Sequence, residues 1–292
     1  MTVNKNTIDL HVHSDYSDGS MAPAEIVAEA KRVGLRVIAL TDHDTIGGIR
    51  EALDAANDIN SADEHLTVIP GVEISAEYKY PLHVLGYFNA DGYERIGVFL
   101  DRMMYERNIR NIGIIQRLNN LGIKITTGEV AEIAGKEIYG RPHIAAALVK
   151  KDVVHSQAEA FAEYLTSGRK AYVGKKSRSP QECVAAIAKA GGLPVIAHPV
   201  KLGMTMREIK ALAKSLISYG LYGIEAYYSD NTPKDTEKYV KLAADLGLQV
   251  TGGSDFHGDY RRYVRLGSGY DGNLRIPDSV TDMMFTALKS TP

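Results

Sequence analysis

Two histidines one residue apart, His11 and His13, open the stretch of the chain richest in groups that can do chemistry, His11-Val12-His13-Ser14-Asp15-Tyr16-Ser17-Asp18-Gly19. In an extended backbone, residues two apart point to the same side, so both imidazoles can face one ion, and the turn that follows can bring Asp18 back towards the same pocket. Thr41-Asp42-His43-Asp44 sets a third histidine between two carboxylates directly after an apolar run. Taken alone this reads as a polar helix start; as a metal site, His43 is the ligand and Asp42 or Asp44 orients its ring. Glu73, in Pro70-Gly71-Val72-Glu73-Ile74-Ser75, lies where an unpaired carboxylate is costly to bury, unless it edges a strand and points at water. His83, in Leu82-His83-Val84-Leu85-Gly86-Tyr87, reads in isolation as a satisfied core histidine. His198 ends the run Val195-Ile196-Ala197 with Pro199 behind it, and Asp255 and His257 lie between Gly252-Gly253 and Gly258, glycines that let backbone approach a crowded site.

Each segment has a bland explanation, but most of the nine histidines fall at such places. Imidazole and carboxylate ligands without thiolates suit manganese, zinc or iron and fit magnesium or calcium poorly. Two or three divalent ions, with manganese first and zinc or iron as alternatives, would clamp a phosphoryl oxygen, generate hydroxide from water and stabilise the leaving oxygen. No protein nucleophile is then required. Asp255, His198 and His257 are the catalytic candidates within the set, either histidine being a candidate proton donor to the leaving oxygen.

These residues need elements that bring them together. Short β-rich runs ending in polar residues are each followed by an amphipathic helical pattern: Thr7 to His11 by Ala24 to Val33, Val37 to Leu40 by Gly47 to Asn57, Val195 to Ala197 by Met206 to Ser218, and Gly223 to Ala226 by Pro233 to Leu246. Gly34, Gly191-Gly192, Gly220 and Gly247 close helices before the next strand. This is repeated β/α architecture, and in a β/α barrel the C-terminal strand ends converge on one mouth. From about Tyr93 to Gly168 the pattern turns helical, with Ile96, Phe99, Leu100 and Met103, then Ile109, Ile112, Ile115, Leu118 and Leu121 at helical spacing. The expected organisation is a barrel of residues 1–92 and 169–292 with a helical insertion at 93–168. The insertion is expected to cap the mouth, since a stretch of this size has little core of its own.

With 292 residues and 45 % hydrophobic content the chain can fill a sizeable core, and its formal charge of -2 gives no global reason to expect a long nucleic-acid duplex as partner. The single cysteine, Cys183, reads as a small buried residue. The N-terminus carries no signal-peptide pattern, and no apolar run approaches the ~18 residues that span a bilayer. The expectation is a cytoplasmic protein with no membrane association and no obligate protein partner.

The motifs HVHSDYSDG at His11 to Gly19, TDHD at Thr41 to Asp44, GVE at Gly71 to Glu73, His83, AHP at Ala197 to Pro199 and SDFH at Ser254 to His257 together resemble the PHP (polymerase and histidinol phosphatase) family, within the amidohydrolase-like group. The resemblance implies a distorted (β/α)7 barrel with a helical insertion, a trinuclear centre and hydrolysis of phosphate esters. Carried across by motif, it implies His11, His13, Glu73 and Asp255 as ligands of one ion, Glu73, His83 and His198 of a second, and Asp18, His43 and His257 of a third. Gly140-Arg141-Pro142-His143 is similar to the subgroup of nucleoside 3',5'-bisphosphate phosphatases and 5'-to-3' exoribonucleases, which implies a small phosphorylated substrate, a nucleotide bisphosphate or a short RNA or DNA oligonucleotide.

The residues agree with it. Arg141 offers a rigid fork for phosphate and His143 a further donor, the alternative being a helix start with Pro142 in its first turn. Lys170, Lys175, Lys176 and Arg178 form a basic stretch; Lys175 and Arg178 are its candidates for a second phosphate or an RNA backbone. Tyr227 and Tyr228 could stack a base at the mouth, although packing accounts for at least one of them. His65 and His155 are expected to be exposed and uninvolved. The competing readings are histidinol-phosphate phosphatase, hydrolysis of a carbon–nitrogen bond, and a metal-binding accessory module without activity.

Overall fold

The computed structural model describes residues 7–61, 65–134, 140–174 and 178–290. The chain divides into two compact units, one of Met1–Leu100 with Arg178–Pro292 and one of Asp101–Ser177. In chain order, β1 (Ile8–Val12), α1 (Pro23–Val33), β2 (Val37–Leu40), α2 (Ile49–Ile59), β3 (Thr67–Ala76) and β4 (Leu82–Tyr87) precede α3 (Gly97–Asn120), α4 (Thr127–Ala134), α5 (Arg141–Lys150) and the short α6 (Gln157–Ala160). After them come α7 (Pro180–Lys189), β5 (Leu193–Ile196), α8 (Met206–Ile217), β6 (Gly223–Tyr228), α9 (Pro233–Leu246), β7 (Gln249–Gly253) and α10 (Ser279–Lys289).

The seven strands lie side by side in sequence order. Pairing is parallel except around β4, which runs antiparallel to both β3 and β5. Only residues 77–81 separate β3 from β4, too few for the crossover helix that a parallel neighbour needs. Backbone bonds join the two ends of the sheet, from the His13 N–H to the Phe256 carbonyl and from the Asp255 N–H to the His11 carbonyl, both 2.9 Å. A nearly closed seven-stranded barrel results.

Gly253 makes this closure sterically feasible, because a Cβ there would overlap both the Cβ and the backbone nitrogen of His11. Overpacking of this kind costs about 1–3 kcal/mol, and a domain of this size loses about 2–4 °C per kcal/mol. Gly253→Ala is therefore expected to lower the unfolding midpoint of the metal-free protein by roughly 2–12 °C, as read by thermal denaturation. An unchanged midpoint would show that β1 and β7 can part without cost.

The barrel core comprises Leu10, Ala39, Ile69, Leu85, Tyr87 and Val195, among others, and includes Val280, Met284 and Leu288, the i, i+4, i+8 stripe of α10. Helices start where local chemistry favours them: Ser179 with Glu182, Thr205 with Glu208 and Thr232 with Asp235 form reciprocal capping boxes ahead of α7, α8 and α9. Gly34, Gly191, Gly220 and Gly247 all have positive φ, as expected of helix-closing glycines. Cys183 is buried in α7. No helix among the described residues is long and apolar enough to cross a membrane.

The second unit is helical and, against the expectation from its length, has an apolar core of its own that includes Ile114, Leu118, Val130, Ile144, Leu148 and Leu165. The buried stripe of α3 is also rotated from the expected one. Ile114, Ile115 and Leu118 are buried, whereas Ile109, Ile112 and Leu121 are exposed.

Candidate metal centre

The barrel mouth gathers side chains from every strand. His43 and Glu73 are bridge partners at the ends of β2 and within β3. His83 sits diagonally from Glu73 across the β3–β4 ladder, where Ser75 faces His83 and Glu73 faces Leu85. Not every contributor comes from a C-terminal strand end: because β4 is antiparallel, its N-terminal end reaches the mouth and carries His83. On β1, Leu10 packs in the core and yet both His11 and His13 face the site; the register shift between Asp9 and Val12 is where the alternation changes phase. Asp44, His198 and Asp255, all just beyond strand ends, have positive φ values of 54°, 24° and 58°. Such backbone costs about 1–3 kcal/mol per residue and persists where surrounding structure demands it.

Glu73 is the hub. Its Oε1 is 2.9 Å from His83 Nδ1 and 2.7 Å from His198 Nε2. Its Oε2 is 3.2 Å from each of three imidazole nitrogens, His11 Nε2, His13 Nε2 and His43 Nδ1. Although buried, Oε2 forms no hydrogen bond among the described residues, and neither do His13 Nδ1 and His43 Nδ1. These lone pairs converge on shared points instead of on one another. Asp255 Oδ1 lies 3.5 Å from His11 Nε2 and 3.3 Å from His13 Nε2, while Asp18 Oδ1 lies 3.3 Å from His257 Nε2 and 3.6 Å from His13 Nδ1. Three groups have ligand atoms close enough to hold a cation: His11, His13, Glu73 and Asp255; His43, Glu73 and His83; and His13, Asp18, His43 and His257. Buried, hydrogen-bond-deprived imidazole and carboxylate atoms in this arrangement fit divalent metal ions.

A further layer fixes these groups. Glu225, fully buried, accepts from His11 Nδ1 at 2.9 Å and from the His198 backbone N–H at 2.6 Å, orienting the His11 ring and fixing the backbone that presents His198. Asp255 divides its oxygens: Oδ2 accepts from Lys201 at 2.8 Å, from the Tyr228 hydroxyl at 2.7 Å and from Arg261 at 2.7 Å, which leaves Oδ1 for the centre. Asp42 does not serve His43 as expected. It binds the Ser14 N–H and hydroxyl at 2.8 and 2.6 Å and the Ser17 hydroxyl at 2.5 Å, pinning the loop that presents Asp18. Asp44 accepts from the Ser75 N–H at 2.8 Å.

The PHP domain model matches residues 9–167, more than half of the chain. The chain belongs to the PHP family. It is 32 % identical to the 5'-3' exoribonuclease of Haemophilus influenzae over 93 % of this chain and 96 % of that one. It is 31 % identical to the 3',5'-nucleoside bisphosphate phosphatase of Chromobacterium violaceum over 86 % of this chain and 87 % of that one. A solved structure from Bifidobacterium adolescentis, described as that of a metal-dependent phosphoesterase, superposes with a TM-score of 0.69 and 30 % identity over 96 % of each chain. This PHP protein is a metal-dependent phosphoesterase.

Charge in the PHP centre is divided unevenly. Burial disfavours a charged imidazole, but at His11 the carboxylates of Glu225, Glu73 and Asp255 outweigh it and hold the ring well above its ordinary pKa. At His13 burial is likewise outweighed, by Asp255 and Glu73, and the ring is raised to about 9. At His43 burial wins and lowers it to about 4. Glu73 and Asp255 are held well below the carboxylate range, since the histidines around each overcome the effect of burial.

The remaining expected site residues lie as follows. Arg141 and His143 belong to the second unit, where Arg141 Nη1 donates to the Leu165 carbonyl at 3.3 Å and His143 Nδ1 accepts from the Gly140 N–H at 3.1 Å, the latter a contact of a helix start. Lys170 pairs with Glu163 at 3.1 Å. Arg178, largely buried in the first unit, lies 3.8 Å from Glu182, while Lys175 and Lys176 lie outside the described residues. The base-stacking expectation for Tyr227 and Tyr228 is corrected: Tyr227 packs against the barrel core, and Tyr228 is buried with its hydroxyl on Asp255. His65 and His155 are exposed, as expected.

Proposed function

We propose that this phosphoesterase hydrolyses the phosphate ester of a nucleoside 3',5'-bisphosphate or of the 5' end of a short RNA, using two or three divalent ions, manganese before zinc or iron. His11, His13, Glu73 and Asp255 would hold one ion, Glu73, His83 and His198 a second, and Asp18, His43 and His257 a third. The observation that carries this reading is the division of Glu73, whose two oxygens face different sets of imidazoles, as a carboxylate shared between cations must. When bound, such ions polarise a phosphoryl oxygen and lower the pKa of water.

The chain's own residues supply position and counter-charge. Lys201 and Arg261 line the cavity of about 270 Å³ above the centre, and each has N–H donors beyond those spent on Asp255 with which to meet a phosphate. His198 and His257 line the same cavity and are the candidates for delivering a proton to the leaving oxygen. Arg141 and His143 are proposed as phosphate contacts on the family resemblance, and Lys175 and Arg178 on the basic character of their stretch.

Manganese-loaded protein is expected to release phosphate or nucleotide from adenosine 3',5'-bisphosphate or a 5'-phosphorylated short RNA at least tenfold faster than phosphate from histidinol phosphate. The three substrates are to be assayed in parallel by product release. Turnover of histidinol phosphate alone would overturn the nucleotide reading.

A further inference from the structure

The loop from β7 to α10 carries the segment Asp259-Tyr260-Arg261-Arg262-Tyr263-Val264-Arg265, separated from His257 by Gly258 alone. Tyr260 and Tyr263 are 76 % and 78 % exposed, so neither ring is spent on the core. Both line one concavity of about 350 Å³ together with Arg261, Arg262 and Tyr270. Arg261 also lines the cavity over the metal centre, and Arg262 also lines a larger groove of about 770 Å³ that continues to Arg265 and Arg275. Three concavities are thus linked end to end by two arginines.

Arg262, Arg265 and Arg275 form no ion pair among the described residues. Of the acids on the groove, Glu29 is held by Arg32 at 2.6 Å and Glu25 by the Ala22 N–H at 2.9 Å. Glu25 keeps its charge on that neutral donor, so Glu25 and Asp259 together face three arginines and the groove retains a net positive charge. The loop is also anchored: the Gly267 N–H binds Asp9 at 2.7 Å, the Asp259 N–H binds Ser20 at 2.8 Å, and Arg261 binds Asp230 at 2.9 Å as well as Asp255. Exposed rings on an anchored backbone lose little entropy when a flat ligand stacks on them.

We propose that this loop is a track for the single-stranded oligonucleotide chain that trails the reacting 5' phosphate, with Tyr260 and Tyr263 stacking bases and Arg262 and Arg265 meeting backbone phosphates. Interleaved aromatic and cationic side chains leading away from a catalytic pocket match the alternation of π-faces and phosphates along a single strand. The inference rests on the nucleotide reading of the metal centre and deepens it. A free nucleoside bisphosphate fills the metal cavity alone, whereas an oligonucleotide engages the track.

The test compares wild type with a Tyr260→Ala/Tyr263→Ala variant, a Tyr260→Phe/Tyr263→Phe variant and an Arg262→Gln/Arg265→Gln variant. Manganese-loaded proteins are assayed on adenosine 3',5'-bisphosphate and on 5'-phosphorylated RNA and DNA octamers of one sequence. Octamer binding is read separately by fluorescence anisotropy. The alanine variant is expected to raise KM and Kd for an octamer about tenfold or more while leaving kcat/KM for the bisphosphate within about twofold, and the phenylalanine variant to behave as wild type. The glutamine variant is expected to reduce the slope of log Kd against log salt by about 0.7 for each phosphate contact removed. A weaker effect on DNA than on RNA would assign the track to RNA, and an equal effect to single strands of either sugar.

Unchanged octamer affinity in the alanine variant, or equal losses on octamer and bisphosphate, would overturn the track. So would a wild type that binds octamers without salt dependence, which would leave the tyrosines to a protein partner. If wild type hydrolyses none of these substrates, the nucleotide reading fails, and the anisotropy series still decides whether the loop binds a strand.

Discussion

Glu73→Gln is expected to lower phosphoesterase turnover by at least about a thousandfold, because it removes the charge on which two sets of imidazoles converge while keeping the shape of the side chain. The same variant should lose part of its bound metal and most of its metal-linked stability. An ion present at a hundred times its Kd stabilises the native state by about 2.7 kcal/mol, which for a domain of this size is a rise of roughly 5–11 °C in the unfolding midpoint. Wild type should show that rise on adding manganese, and the glutamine variant should show little of it. Elemental analysis and thermal denaturation with and without manganese would check both. Retained turnover with full metal content would remove Glu73 from the centre. Loss of turnover with an undiminished manganese shift would instead make Glu73 a group that acts on substrate.

Several residues of the centre were legible because they stand where an apolar run stops, and an apolar run announces a strand. His43 after Val37–Leu40 and His198 after Leu193–Ile196 are read this way, and the resemblance of their motifs to one family names the fold they share. Strand direction was harder to read. β4 has the same apolar alternation whichever way it runs, so His83 could be seen as a candidate but not as the product of an antiparallel strand; the five residues between β3 and β4 were the available signal. Glu225 gave the same warning as Glu73, a carboxylate inside the buried strand Gly223–Tyr228, but no motif surrounds it. The role of Asp42 was misassigned because adjacency in sequence was taken for adjacency in space. In an extended segment neighbouring side chains point apart, and Asp42 turns away from His43 towards Ser14 and Ser17. The core of the second unit depends on which face of α3 is covered, and periodicity alone gives the spacing of a stripe, not the elements that bury it.

Manganese affinity is expected to rise steeply with pH up to about 9, because the metal-free centre holds protons where a metal would sit. His11 is raised well above its ordinary pKa and His13 to about 9, so near neutral pH both rings are charged, balancing Glu73, Asp255 and Glu225. A metal ion binds only the neutral ring, so its arrival must expel those protons. The sign follows: below the raised pKa values protons compete with the metal, and as pH climbs towards them the competition fades. His43, lowered to about 4, is already neutral at these pH values and contributes no proton to be displaced. Between pH 6 and 8 the apparent Kd for manganese should therefore fall by about tenfold or more per unit, with one to two protons released per ion, and the slope should lessen above about 9, where His13 no longer has a proton to give up. Isothermal titration in buffers of different ionisation enthalpy counts the protons directly. Affinity independent of pH across this range, with no proton release, would mean that the carboxylates of the centre are balanced by something other than His11 and His13.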